Sequence, residues 1–219
     1  MIQLHYYPGN ASLIPHLLLE ELALPFELQY VDRAQSAQKS PAYLKLNPNG
    51  LIPVLVDGPL VLYETAAVCL HLADTNPKAG LAPALGTAER AHAYKWLAWM
   101  TNTLQAALII YFYPERWVNE GNAAGAAELK GHAEAKIGAM LDQLDAQFAA
   151  HAGERSADWL LGARYSLLDP YAFVLCRWTR GFARPARSLP HLKPFLERML
   201  ARPAVQRAFA AEKLAAPYV

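Results

Sequence analysis

The sequence predicts a small α/β domain followed by an all-helical domain. Three observations predict it. Strand and helix patterns alternate over residues 2–74, a Pro- and Gly-rich break follows at 77–86, and only helical periodicity remains after it. Residues 2–7 (Ile-Gln-Leu-His-Tyr-Tyr) form a strand stopped by Pro8-Gly9. Ile14, Leu17, Leu18 and Leu22 recur at helical spacing, and residues 26–31 alternate as a second strand. A short helix over 41–46 closes at Asn47-Pro48-Asn49-Gly50. Residues 54–56 and 60–62 flank Asp57-Gly58-Pro59 as a hairpin, and residues 65–74 are helical again. The order β-α-β-α-β-β-α implies a parallel pair of strands with an antiparallel edge.

Beyond the break, helices are expected over 87–113, around Ile137, Leu141, Leu144 and Phe148, and over 167–180, 191–200 and 203–212. The domains are therefore residues 1–76 and 87–219, joined by a linker over 77–86.

Composition narrows the function. Of 219 residues 54% are hydrophobic and 18% charged, enough apolar material for a sizeable core and too much for a disordered chain. The net charge is +1, which supplies no global field toward nucleic acid or membrane. Eight basic residues between Arg177 and Arg207 face one acid, Glu197, but lack single-face spacing and interleaved aromatics, so they read as solvated helix surface. The two cysteines, Cys69 and Cys176, stand alone in apolar helical segments and suit a reducing compartment, with no metal-ligand spacing and no Cys-x-x-Cys. The longest apolar run, 106–113, is too short to span a bilayer, and no leader pattern opens the chain, so a soluble cytoplasmic protein is expected.

Four segments can carry chemistry. In Asn47-Pro-Asn-Gly-Leu-Ile-Pro-Val-Leu55, a cis Ile52–Pro53 bond would turn the Ile52 N–H and C=O sideways toward a peptide-like ligand; otherwise the run is a turn into a strand. Glu64-Thr65 opens a helix. The pair suits the ammonium and carboxylate of one amino-acid end, or serves as ordinary capping. In Tyr6-Tyr7-Pro8-Gly9-Asn10-Ala11-Ser12, Ser12 is the expected N-cap with Pro15 at N3, its hydroxyl accepting from the helix and donating outward to an anion. Ser166-Leu-Leu-Asp169 reads as a structural capping box, with Pro170 falling at N4.

These pieces, in this order, resemble the cytosolic glutathione transferases over most of the chain. The resemblance rests on Asn47-Pro-x-Gly-x-x-Pro-Val-Leu55, Glu64-Thr65 and Ser166-x-x-Asp169 taken together. Tyr6 to His16 is most similar to bacterial beta-class members, which carry Cys-Ser where this chain has Ala11-Ser12. That departure removes the thiol needed for mixed-disulfide chemistry.

The resemblance implies a thioredoxin-like first domain that binds glutathione as co-substrate, without a metal. Ile52 and Pro53 would hold its cysteinyl part, Glu64 and Thr65 its γ-glutamyl end, and Lys39 its glycyl carboxylate. Leu51 replaces a residue that is polar in many relatives. Activation of the thiol falls to Ser12, Tyr6 or Asn10. Asn102, Tyr111, Tyr113, Arg116 and Trp117 would meet a small hydrophobic electrophile, or simply pack. A homodimer engaged in detoxification, with no nucleic acid or membrane as partner, completes this reading. Two alternatives remain: a non-catalytic transferase-like module for protein partners, and a glutathione-dependent peroxidase, isomerase or dehalogenase.

Overall fold

The computed structural model describes residues 1–150 and 158–219. They form two compact units. The first comprises residues 1–82 with 199–216, and the second residues 83–198 with 217–219.

In the first unit, β1 (Ile2–Tyr6), β2 (Phe26–Tyr30), β3 (Val54–Asp57) and β4 (Leu60–Tyr63) form one sheet in the order β2-β1-β3-β4. β1 and β2 are parallel; β1 with β3 and β3 with β4 are antiparallel. The strands are linked by α1 (Leu13–Glu21) and α2 (Pro41–Leu44), and α3 (Thr65–Thr75) follows β4. This is the expected thioredoxin-like arrangement, including the hairpin, whose Gly58 has the positive φ (57°) that its turn requires. Leu4 and Leu55, opposite each other across β1 and β3, are fully buried together with Ile14, Leu17 and Leu18 of α1 and Val68 and Cys69 of α3. Each such side chain stabilises the fold by roughly 1.5–3 kcal/mol. Val54 turns the other way, where it packs with Val31 and Tyr43 of α2.

The first unit also recruits the end of the chain. The helical domain was expected over 87–219, yet the last helix, α9 (Pro203–Ala211), packs against α1. Ala204, Val205, Ala208 and Phe209 of α9 are buried, and two charge pairs accompany this apolar face. Arg202 grips Glu21 in a bidentate pair (2.5 and 2.7 Å), and Arg207 donates to Glu20 (2.6 Å).

The second unit contains α4 (Ala88–Trp99), α5 (Ala106–Phe112), α6 (Ala123–Ala150), α7 (Leu168–Trp178) and most of α8 (Leu192–Leu200). α4 and α5 are joined by a π-helical segment, Met100–Gln105, inside the stretch expected as one regular helix. α6 is far longer than its apolar stripe suggested. Ile137, Leu141, Leu144 and Phe148 are among its buried positions, and Phe148 packs on Phe195 at 4.6 Å. Asp145 of α6 caps α8 from outside, accepting from the amides of His191 (2.9 Å) and Leu192 (2.8 Å).

Ser166 and Asp169 do form a structural cap. The buried Asp169 carboxylate accepts from Ser166 N (2.7 Å), Ser166 Oγ (3.1 Å) and Leu160 N (2.8 Å). The helix starts at Leu168, which puts Pro170 at N3 instead of N4, so its missing N–H forfeits no intrahelical bond. Of the eight basic residues between Arg177 and Arg207, Arg184, Arg198, Arg202 and Arg207 pair with carboxylates. Among the described residues no helix is long and apolar enough to cross a membrane.

Candidate functional site

Strand register assembles the site. His5 lies opposite Val54, so the end of β1 at Tyr6 comes level with Pro53. Val54 lies opposite Tyr63, which brings Glu64 beside the same proline. Tyr6 pairs with Tyr30 on the other side, and Val31 N donates to Tyr6 O (2.9 Å). One end of the sheet therefore collects the β1–α1 turn, the start of β3 and the start of α3. The first turns of α1 and α3 both contribute N–H groups without intrahelical partners, and their dipoles favour negative charge at this end.

The Ile52–Pro53 bond is cis. The approach to it is held from the side: Tyr43 Oη and Asn47 Nδ2 both donate to Leu51 O at 2.9 Å. Gly50 sits at φ 60°, where an added Cβ would come within 2.8 Å of Gln38 O and of Lys39. Lys39 is exposed and donates to Asn49 O (3.1 Å), so its ammonium is engaged with the turn that leads into β3. Leu51 is 54% exposed.

Glu64 is exposed and its carboxylate caps nothing in the helix. Its backbone has φ 70° and ψ 112°, a conformation that costs a non-glycine residue about 1–3 kcal/mol. The strain sits at the N-cap of α3, next to the buried Thr65.

The β1–α1 turn corrects one expectation. Ser12 is the N-cap residue and Pro15 is at N3, as read from the sequence, but the hydroxyl neither caps the helix nor points outward. Ser12 is completely buried, and its Oγ donates to Tyr7 O (3.1 Å) and accepts from Tyr7 N (3.2 Å). The helical φ and ψ of Ser12 (−59° and −22°) turn the side chain back onto the strand end. Its backbone N–H, by contrast, meets no acceptor among the described residues. Asn10 Oδ1 accepts from Ala11 N, leaving the Asn10 Nδ2 hydrogens as donors. Burial, with Glu212 and Tyr30 nearby, raises the Tyr6 phenol above its usual pKa, so Tyr6 is a hydrogen-bond donor at neutral pH. The rings of Tyr6 and Tyr7 both contact Tyr30 at 6.0 Å, and the Arg33 guanidinium lies 5.2 Å over Tyr7.

No thiol is available here. Ala11 occupies the turn, and the free cysteines are buried in helices. Burial raises both their thiols, that of Cys176 to about 12, with Asp145 adding to the effect. Among the described residues no group of three or more His, Cys, Asp or Glu could hold a metal ion.

In the second unit the five residues expected at an electrophile fall on consecutive segments, the π-helical stretch, α5 and the short 3-10 turn after it. Tyr111 is committed to packing: its ring meets Phe182 at 4.1 Å and lies under Lys130 Nζ at 4.8 Å. Tyr113 and Arg116 belong together, the guanidinium 3.9 Å from the ring centroid. Trp117 is 51% exposed, and Asn102 sits exposed on the π-helical segment, its Oδ1 accepting from Thr101 Oγ1 (3.3 Å).

Two family profiles match. Residues 11–75 match the glutathione S-transferase N-terminal domain, and residues 99–203 the C-terminal domain. Glutathione S-transferase GST-4.5 of Xanthomonas campestris is 34% identical over 97% of this chain and 100% of its own length. The chain belongs to the glutathione S-transferase family. Among solved structures, a Sulfitobacter glutathione transferase homologue with bound glutathione aligns with TM-score 0.87 and 28% identity, covering 98% of this chain and 99% of its own. The bacterial beta-class glutathione S-transferase of Sphingomonas chungbukensis aligns with TM-score 0.80 and 28% identity over 97% and 100%.

Two residues that brace the turns at this sheet end, Tyr43 and Glu212, were not singled out from the sequence. Tyr43 left no signal beyond its place in the short helix before the motif. Glu212 left none, because its partners, Gly9 and His16, lie 203 and 196 residues earlier in the chain.

Proposed function

We propose that this transferase binds glutathione at the sheet end described above, lowers the pKa of its thiol, and presents the thiolate to a small hydrophobic electrophile. The observation that carries the proposal is the convergence of the β1–α1 turn, Ile52–Pro53 and Glu64–Thr65 at one sheet end, with an unpartnered helix-initiating amide at Ser12. The Ser12 N–H, the Asn10 amide and the Tyr6 hydroxyl are the donors to sulfur, and the Ser12 hydroxyl supports the turn. A cysteine thiol titrates near 8.5, and each unit of depression requires about 1.4 kcal/mol. A hydrogen bond to a charged group contributes roughly 1.5–3 kcal/mol, so one good donor at a helix N-terminus accounts for a shift of about one to two units.

The Ile52 backbone and Pro53 hold the cysteinyl segment, Glu64 the γ-glutamyl ammonium, and Thr65 with the α3 amides its carboxylate. Lys39 reaches the glycyl carboxylate by exchanging its bond to Asn49. In the helical unit Asn102, Tyr113, Arg116 and Trp117 contact the electrophile, with Tyr111 supporting them. The thiol proton leaves to solvent, the sulfur forms a bond to the electrophilic carbon, and the leaving group departs with the bonding pair. The protein acts as a cytoplasmic homodimer in detoxification.

Calorimetric titration with glutathione, followed by a panel of an aryl halide, an organic hydroperoxide and a maleyl-type substrate, tests this reading. We expect saturable binding of one glutathione per chain and turnover of the aryl halide. Turnover of only another panel member reassigns the reaction, and binding without turnover identifies a non-catalytic module.

A further inference from the structure

We propose that Glu212, which follows α9, is a positioning residue for thiol activation: its carboxylate locks the β1–α1 turn so that the donors at Asn10 and Ser12 stay aimed at the sulfur. The inference rests on the proposed glutathione site. Glu212 Oε2 accepts from Gly9 N at 2.7 Å, and Oε1 lies 2.8 Å from His16 Nδ1. The Glu212 and His16 side chains are both fully buried. One carboxylate thus bridges the turn to the helix that the turn initiates.

A carboxylate taken out of water is unfavourable unless both oxygens are engaged, and these two are engaged on opposite sides of the donor group. Gly9 is at φ 67°, in the left-handed region, and the next residue is Asn10. Fixing the Gly9 amide therefore fixes the peptide that leads into Asn10. His16 is oriented from the Glu212 side: its Nε2 has no hydrogen-bond partner, the Glu20 carboxylate standing 3.9 Å away, and its ring meets Phe26 edge-on at 5.5 Å.

Docking of α9 alone does not explain Glu212. Arg202 and Arg207 already clamp α9 to α1 through Glu21 and Glu20. Neither of those pairs touches the turn, whereas Glu212 does.

The test compares Glu212→Ala and Glu212→Gln with Arg207→Ala, which loosens α9 without touching the turn. Three readouts are needed: amide exchange at residues 9–12 in the ligand-free protein, the pKa of the bound glutathione thiol from thiolate absorbance, and kcat against KM. In Glu212→Ala we expect faster exchange at Gly9 and Asn10, a bound-thiol pKa about one unit higher, and kcat down by about tenfold with KM for glutathione nearly unchanged. Glu212→Gln restores most of each, because an amide oxygen still accepts from Gly9 N–H, and Arg207→Ala leaves the thiol pKa alone. If Glu212→Ala does not fold, Glu212→Asp, one methylene too short for both contacts, is expected to shift the same readouts in the same direction. A bound thiol that titrates as in the parent, or turn amides that exchange as in the parent, overturns the proposal. A parent that fails to bind glutathione defeats the functional reading instead, and the exchange data still decide whether Glu212 holds the turn.

Discussion

Replacing Asp169 by alanine is expected to destabilise the protein by about 3–5 kcal/mol, measured by chemical denaturation. The carboxylate is fully buried and accepts from two backbone amides and one hydroxyl. Removing it strands the amides of Leu160 and Ser166 without acceptors, at about 1–3 kcal/mol each. It also uncouples the start of α7 from residues that pack beside it, since Leu160 is itself fully buried. The loss is a large share of the roughly 5–15 kcal/mol that holds a typical domain folded. Ser166→Ala removes only the hydroxyl and is expected to cost about 1 kcal/mol. Equal costs for the two substitutions would show that Asp169 does not organise this junction.

Glu64→Ala is expected to weaken glutathione binding by roughly 10–100-fold, the worth of one charge-assisted contact. Its backbone adds a second signature. At φ 70° alanine keeps the strain that glutamate bears, whereas glycine relieves it. Glu64→Gly should therefore lose binding like Glu64→Ala while gaining stability of about 1 kcal/mol or more over it. Opposite signs for binding and stability at one residue are what a conformation retained for ligand contact predicts. If both variants bind glutathione as the parent does, the γ-glutamyl assignment fails.

Much of the fold was legible because its signals are local. Alternation marked β2, Asp57-Gly58-Pro59 marked the hairpin, and Ile14, Leu17 and Leu18 marked the buried face of α1. What stayed hidden depends on distant partners or on small residues. The first half of α6 is alanine-rich and largely exposed, so it shows no apolar stripe. The π-helical segment keeps the composition of its neighbours and changes only their hydrogen bonding.

In the site, the motif residues Ile52–Pro53 and Glu64–Thr65 were visible, but their convergence with Tyr6 follows from strand register. Ser12 was located correctly, whereas the direction of its hydroxyl was set by Tyr7, five residues earlier. The bond from Glu212 to Gly9 crosses almost the whole sequence and has no local trace.

Thiolate absorbance of glutathione bound to the parent protein, followed against pH, addresses the activation chemistry itself. The bound thiol is predicted to half-ionise about one to two pH units below the value near 8.5 of a free cysteine thiol. A bound thiol that ionises together with free glutathione would contradict the account.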